Sequence, residues 1–147
     1  MKETLVIDAS VAIKWLITED GSEDAVRLRS AFAFVAPEPI LAECTNILWK
    51  KVQRQELELD EAKLASALLA RAGIGLCSLQ GLSTTTLDLA VNLGHPAYDC
   101  VYLALATRER CRFVTADRRL LSAVSQRAPI ELAELCLSLE DAGRLVP

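Results

Sequence analysis

Four acidic residues stand out because each follows a predicted strand or lies in the first turns of a predicted helix: Asp8, Glu43, Asp99 and Asp117. Carboxylates that meet in one place repel one another, and they stay ionised together only when a cation compensates their charge. A site made of carboxylate oxygens suits Mg²⁺ or Mn²⁺ rather than zinc. If the fold brings these side chains together, the sequence predicts an acidic metal site.

Asp8 comes directly after the apolar run Leu5-Val6-Ile7, which has the character of a strand buried on both faces. The apolar residues that follow Asp8 are spaced as in a helix, so Asp8 is predicted to lie where a central strand ends and a helix begins. In open α/β sheets ligands bind at that edge. The alternative is that Asp8 or Ser10 simply caps the following helix.

Asp117 is the last residue of a predicted strand over residues 112–117, and it could equally cap the helix predicted over 118–127. Asp99 lies in the first turn of a predicted buried helix, where the helix dipole favours an ionised acid, so it could be a helix-end stabiliser. Glu43 falls beside Ile40 and Ile47 on a helical wheel, at the edge of the stripe that packs on the sheet. A solvated position is a less natural environment for it, and the alternative is a glutamate at the stripe edge whose carboxylate extends into solvent.

Strands alternate with helices along the chain, and this pattern predicts a mostly parallel α/β sheet with helices on both faces. Strands are expected over residues 5–7, 32–36, 74–79, 112–117 and 130–132. Helices are expected after Asp8 and over 22–31, 40–53, 83–93, 98–108, 118–127 and 138–143, with a further helix capped by Asp60 and closed by Gly73.

The 147 residues are expected to form one domain, 1–147, with a formal net charge of −4. The five cysteines include no C-x-x-C pair, so a zinc site is not expected and reduced thiols in the cytoplasm fit best. The N-terminal apolar run is too short for a signal peptide, and no stretch approaches the length of a membrane span. Because the net charge repels nucleic acid, any contact with nucleic acid would need a metal or a local basic patch.

Arg118 and Arg119, next to Asp117, are the better candidates for binding nucleic-acid phosphates. Arg108 and Arg110 are interpreted as a solvated helix end. His95 follows a helix-ending glycine and is expected to be a loop residue rather than a catalyst. Trp49 projects away from the apolar stripe of its helix, which suggests an exposed contact with a second copy of the chain or another protein.

The chain resembles PIN-domain ribonucleases of the VapC toxin type. The segments that carry this resemblance follow one another along nearly the whole sequence: Val6-Ile-Asp8-Ala-Ser10, Pro39-Ile-Leu-Ala-Glu43, Tyr98-Asp99-Cys-Val-Tyr-Leu-Ala-Leu-Ala106 and Phe113-Val-Thr-Ala-Asp117. The resemblance implies a three-layer α/β/α fold with strand order 3-2-1-4-5. It also implies that Asp8, Glu43, Asp99 and Asp117 are catalytic, with Ser10 and Thr115 in support. Cys100 stands where many relatives have alanine.

The function implied by the resemblance is Mg²⁺- or Mn²⁺-dependent hydrolysis of RNA that leaves a 5′-phosphate, by the toxin of a toxin–antitoxin pair. Asp8, Asp99 and Asp117 would bind the metal, and Glu43 would bind through a water or orient the nucleophile. A homodimer and an antitoxin that covers the acidic site are also implied. The alternative is a catalytically silent PIN-like module that binds RNA or an antitoxin.

Two enzymes of other classes also place an acid at a strand end. A phosphoryl-accepting receiver domain would use a lysine near the last strand, but every lysine here lies at or before Lys63. A haloacid-dehalogenase-type phosphatase would want a second acid two residues after Asp8, where this chain has Ser10. Both are therefore disfavoured.

Overall fold

Five short parallel strands form the centre of the computed structural model, which describes residues 1–147. They are β1 (Glu3–Ile7), β2 (Phe32–Pro37), β3 (Ile74–Cys77), β4 (Arg112–Thr115) and β5 (Cys136–Ser138). Their order in the sheet is β3-β2-β1-β4-β5, and each neighbouring pair is parallel. The predicted fold class and strand order are therefore confirmed, and β1 and β4 lie side by side at the centre.

Helices connect the strands: α1 (Ala9–Leu16), α2 (Ser22–Ala31), α3 (Ile40–Gln53), α4 (Leu59–Leu69), α5 (Ser83–Leu93), α6 (Ala97–Glu109), α7 (Arg118–Arg127), α8 (Ile130–Leu135) and α9 (Leu139–Arg144). Helix α1 contacts β1 and β4 together with α2 and α3, whereas α6 contacts β1, β2 and β4 together with α5. The sheet is thus enclosed by helices. None of the nine helices combines the length and the apolar character of a membrane-spanning segment.

The core lies where β1 and α6 meet. Leu5, Val6 and Ile7 of β1 are completely buried, as the apolar run predicts for a central strand. In α6 every residue from 100 to 106 is buried, so this helix lacks a solvent face over most of its length. The helix predicted at residues 98–108 is confirmed, and it is buried over residues 100–106, whereas Tyr98 is 84% exposed.

Two local predictions are wrong. Residues 130–132, predicted as the fifth strand, lie in α8, and β5 comes later at Cys136–Ser138. Pro129 starts α8, because its carbonyl accepts the first N–H groups of the turn, and Glu, Leu and Ala then favour the helix. Helix α4 begins after Glu58, which forms a capping box with Glu61, so Asp60 is not its cap.

Candidate active site

Asp8 lies at the carboxyl end of β1, as predicted, and its side chain makes no capping bond to α1. Instead the hydroxyls of Ser10 and Thr115 donate to its two carboxylate oxygens, each at 2.5 Å. Asp8 is only 8% exposed and Thr115 is completely buried. The capping alternative therefore does not describe this carboxylate, which faces the neighbouring strand β4.

The two hydroxyls are themselves oriented by the backbone at the end of β4. Ser10 Oγ accepts the N–H of Ala116 at 2.9 Å, and Thr115 Oγ1 accepts the N–H of Asp117 at 3.0 Å. Since each oxygen receives a backbone hydrogen, its own hydroxyl hydrogen is free to point at Asp8. Pairing of β1 with β4 thus fixes the Asp8 carboxylate from both sides.

Burial, with a smaller contribution from the charge of Asp117, raises the pKa of Asp8 to about 6 despite the lowering effect of the Ser10 and Thr115 hydroxyls. The charged form is therefore costly unless a cation lies nearby. This also shows that Asp8 and Asp117, which are far apart in sequence, are electrostatic neighbours.

Glu43 lies in the first turn of α3 and accepts a hydrogen bond from the Tyr102 hydroxyl at 2.9 Å. Burial raises the pKa of Glu43 to about 7, and the charges of Asp8 and Asp99 act in the same direction. Glu43 is therefore a neighbour of both of these acids. The placement predicted from its helical wheel, at the edge of the packed stripe, agrees with its partial burial.

Tyr102 is a residue of this region that the sequence analysis missed. It is 1% exposed, stacks on Phe113 with ring centroids 6.0 Å apart, and sends its hydroxyl to Glu43. A signal existed, because Tyr102 lies three residues after Asp99 and therefore on the same side of α6. The apolar surroundings made it indistinguishable from an ordinary core aromatic residue.

Asp99, Asp117 and His95 form the tightest group of possible metal ligands, with one donor atom from each lying within 4.8 Å of the others. His95 Nε2 is 2.8 Å from Asp99 Oδ2. Asp117 Oδ1 accepts the N–H groups of Arg119 and Leu120, so this residue does cap α7. Because both bonds fall on Oδ1, its Oδ2 stays available for another partner.

His95 lies between α5 and α6, in a loop as expected, but its ring reaches the acids, which the sequence analysis did not anticipate. Asp8 and Glu43 are not part of the 4.8 Å group. They adjoin it through the electrostatic pairs described above, Asp8 with Asp117 and Glu43 with Asp99.

No lysine or arginine forms an ion pair with any of the four acids, and His95 is the basic side chain in direct contact with one of them. Burial and the charges of neighbouring acids hold the pKa values of Asp8 and Glu43 above their usual range. A divalent cation fits this donor set, because carboxylate oxygens are its preferred ligands and its charge would relieve the repulsion. The region is a possible acidic metal site.

A groove of about 480 Å³ adjoins the acids along α7, and Arg118, Arg119 and Arg127 contribute to its lining together with His95. None of these arginines takes part in an ion pair. The groove is therefore a local concentration of free positive charge on a chain whose net charge is −4.

Known proteins resemble this chain in both sequence and fold. The PIN domain family model matches residues 5–125. Ribonuclease VapC9 of Mycobacterium tuberculosis is 31% identical over 126 residues, which cover 86% of this chain and 95% of that protein. The chain belongs to the PIN-domain family, in its VapC group. Ribonuclease VapC3 of Pyrobaculum aerophilum is also 31% identical over 119 residues, covering 79% of this chain and 91% of that protein.

Solved structures agree with this PIN-domain fold. PAE2754 from Pyrobaculum aerophilum superposes with a TM-score of 0.70 at 21% identity, covering 99% of this chain and 89% of that one. Mycobacterium tuberculosis VapC20, a toxin that cleaves the sarcin-ricin loop, superposes with a TM-score of 0.62 at 13% identity, covering 81% and 94%. At these identities the likeness concerns the fold, and it agrees with the strand order of this PIN domain.

Proposed function

We propose that this PIN domain is a metal-dependent endoribonuclease, the toxin of a toxin–antitoxin pair, with Asp8, Glu43, Asp99 and Asp117 as its active-site acids. The observation that carries the proposal is that acids from β1, α3, α6 and the end of β4 are neighbours, and that no lysine or arginine neutralises them. The names of the relatives, which are ribonucleases, support the choice of RNA.

Asp8, Asp99 and Asp117 would hold Mg²⁺ or Mn²⁺, and Ser10 and Thr115 would keep the Asp8 carboxylate in place. When bound, the cation supplies Lewis-acid polarisation of the phosphodiester and lowers the pKa of a water molecule. The hydroxyls matter because hydrogen-bonded partners behind a ligand fix its orientation. Asp8 is well suited to this arrangement, since both of its oxygens already have an oriented donor.

Glu43 would receive a proton from the attacking water or orient that water. A general base works best when its pKa is near the pH at which the enzyme operates, and the pKa of Glu43 is raised to about 7. The Tyr102 hydroxyl holds one oxygen, Oε2, which leaves Oε1 as the atom that can take the proton.

Arg118 and Arg119 would bind phosphates of the RNA in the groove along α7, and Arg127 extends the same groove. Phosphate contacts of this kind position a nucleic acid without reading its sequence. His95 lines this groove and contacts Asp99, so a strand held in the groove would pass close to the acids.

A catalytically silent module is the competing function. A protein that only bound RNA or an antitoxin would gain nothing from acids held at raised pKa without a cationic partner, since that arrangement costs stability. We therefore favour the enzyme.

We further propose that residues 1–147 act as one domain in the cytoplasm, as a homodimer and with a cognate antitoxin. Trp49, which is 56% exposed on α3, is a candidate contact for either protein partner.

The test uses purified protein, RNA, and Mg²⁺ or Mn²⁺ added after treatment with EDTA. We expect cleavage that needs the metal and yields 5′-phosphate ends, identified by sequencing the fragment ends. Asp8→Asn and Asp99→Asn should abolish cleavage, whereas Asp60→Asn, an exposed acid on α4, should leave it unchanged. Normal cleavage in EDTA, or normal cleavage by either of the first two variants, would overturn the proposal.

A further inference from the structure

We infer that His95 is a positioning residue, whose imidazole holds one oxygen of Asp99 so that the other oxygen is presented to the bound cation. The inference rests on the proposed function, because it concerns how the candidate metal centre is held together. Its first support is that the structure brings His95 and Asp99 into direct contact at 2.8 Å.

The backbone around His95 is fixed on both sides. Gly94 ends α5 with a φ of +62°, a left-handed conformation that favours glycine, and Pro96 precedes the first residue of α6. The His95 N–H donates to the carbonyl of Ala90 at 3.2 Å, and the Cys100 thiol donates to the His95 carbonyl at 3.7 Å. The ring therefore projects from a rigid corner between two helices rather than from a free loop.

The chemistry of the contact assigns the hydrogen atom. An ionised carboxylate can only accept hydrogen bonds, so Nε2 must donate to Asp99 Oδ2. A ring nitrogen that carries a hydrogen has no lone pair to offer a metal. Nε2 thus occupies Oδ2, and Oδ1 of Asp99 remains free for the cation that Asp117 would share.

The other acids of the site have donors of their own. Asp8 is held by two hydroxyls, Glu43 by the Tyr102 hydroxyl, and Asp117 by two backbone N–H groups of α7. For Asp99 that role falls to His95, whose side chain is 10% exposed against 37% for the carboxylate it holds. Without the imidazole, Asp99 would be a half-exposed acid at the start of α6 with several rotamers open to it.

The experiment measures binding of Mn²⁺ to the protein at one fixed pH, by the loss of the EPR signal of free Mn²⁺. Loss of a partner behind a metal ligand typically weakens metal affinity by about 10- to 100-fold, and we expect this for His95→Leu. His95→Gln keeps an N–H donor of similar reach, so its affinity should fall by less than about tenfold. Gln126→Leu changes the same groove away from Asp99 and should bind as the wild type does.

A second measurement separates positioning from direct ligation. Pulsed EPR of the Mn²⁺-loaded wild type should show no coupling to a directly bound histidine nitrogen. Such a coupling would overturn the inference by making His95 a ligand, and this readout needs no variant to fold. Wild-type affinity in His95→Leu would overturn it too, with the proposed function left standing. If the wild type bound no Mn²⁺ at all, both the proposed function and this inference would fall.

Discussion

Replacing Asp8 with asparagine should stabilise the metal-free protein, even though it removes a residue of the proposed active site. Asp8 is 8% exposed, and burial raises its pKa from 3.8 to about 6. An acid whose pKa is higher in the folded state than in the unfolded state lowers the free energy of unfolding once it is ionised. Asparagine has nearly the same shape and carries no charge, so it removes this cost.

The size of the effect follows from the same values. A rise from 3.8 to about 6 in the folded state corresponds to about 3 kcal/mol at a pH above both values. The gain should be smaller than this limit, because the asparagine side chain can accept only one of the two hydroxyl bonds and its amide must donate to the other hydroxyl. For a chain of this length each 1 kcal/mol corresponds to a shift of about 2–4 °C in the melting temperature.

The effect depends on pH in one direction. Between 3.8 and about 6 the folded state holds the Asp8 proton while the unfolded state has released it. The free energy of unfolding of the wild type should therefore fall as the pH rises through this window, and stay low above it. In Asp8→Asn this part of the pH dependence is absent, so the stability gap between the two proteins should open between about pH 4 and pH 7.

The assay is urea unfolding in EDTA at pH 5 and at pH 7.5, with Asp60→Asn as the exposed control. Adding Mn²⁺ should raise the stability of the wild type more than that of Asp8→Asn, because only a ligand that binds the folded state stabilises it. If Asp8→Asn were less stable than the wild type at pH 7.5 in EDTA, the reasoning about an uncompensated buried charge would be refuted.

The contacts of the site lead to three more predictions. Tyr102→Phe removes the hydrogen bond that lowers the pKa of Glu43, so the acidic limb of the pH profile of RNA cleavage should move to higher pH. If this limb did not move, Glu43 would not be the base that titrates. Thr115→Val leaves the Asp117 N–H and a buried oxygen of Asp8 without a hydrogen-bond partner, so it should lower the free energy of unfolding in urea by about 1–3 kcal/mol. Thr115→Ser should lower it by less, because serine keeps the hydroxyl. Arg119→Gln is tested in the inactive Asp8→Asn protein, where it should weaken RNA binding and reduce the slope of log affinity against log salt by about 0.7 in magnitude. If a filter-binding assay gave an unchanged slope, Arg119 would not contact RNA phosphates.

The amino-acid sequence by itself determined the elements that carry Asp8 and Asp117. An apolar run, then an acid, then apolar residues at helical spacing is compatible with few secondary structures, because a strand buried on both faces must end before a charged residue. Residues 40–53 were also predictable as a helix with Glu43 near its start, since the apolar stripe has the helical period. The resemblance to VapC proteins supplied the strand order, which the structure has in the same form.

Only the tertiary structure decided the partners of the acids. Helix α6 is apolar nearly all round, so its sequence does not indicate which of its sides faces which neighbour. Packing in the tertiary structure turns Tyr102 toward Glu43. The contact between His95 and Asp99 spans only four residues, but Asp117 comes to lie beside this pair through pairing of distant strands, which the loop composition does not encode. In the same way, three residues pair with β4 as β5 because the sheet edge is there to receive them, whereas residues 130–132, apolar in pattern, follow Pro129 into a helix. Local patterns specify elements, and the contacts between distant elements specify the chemistry.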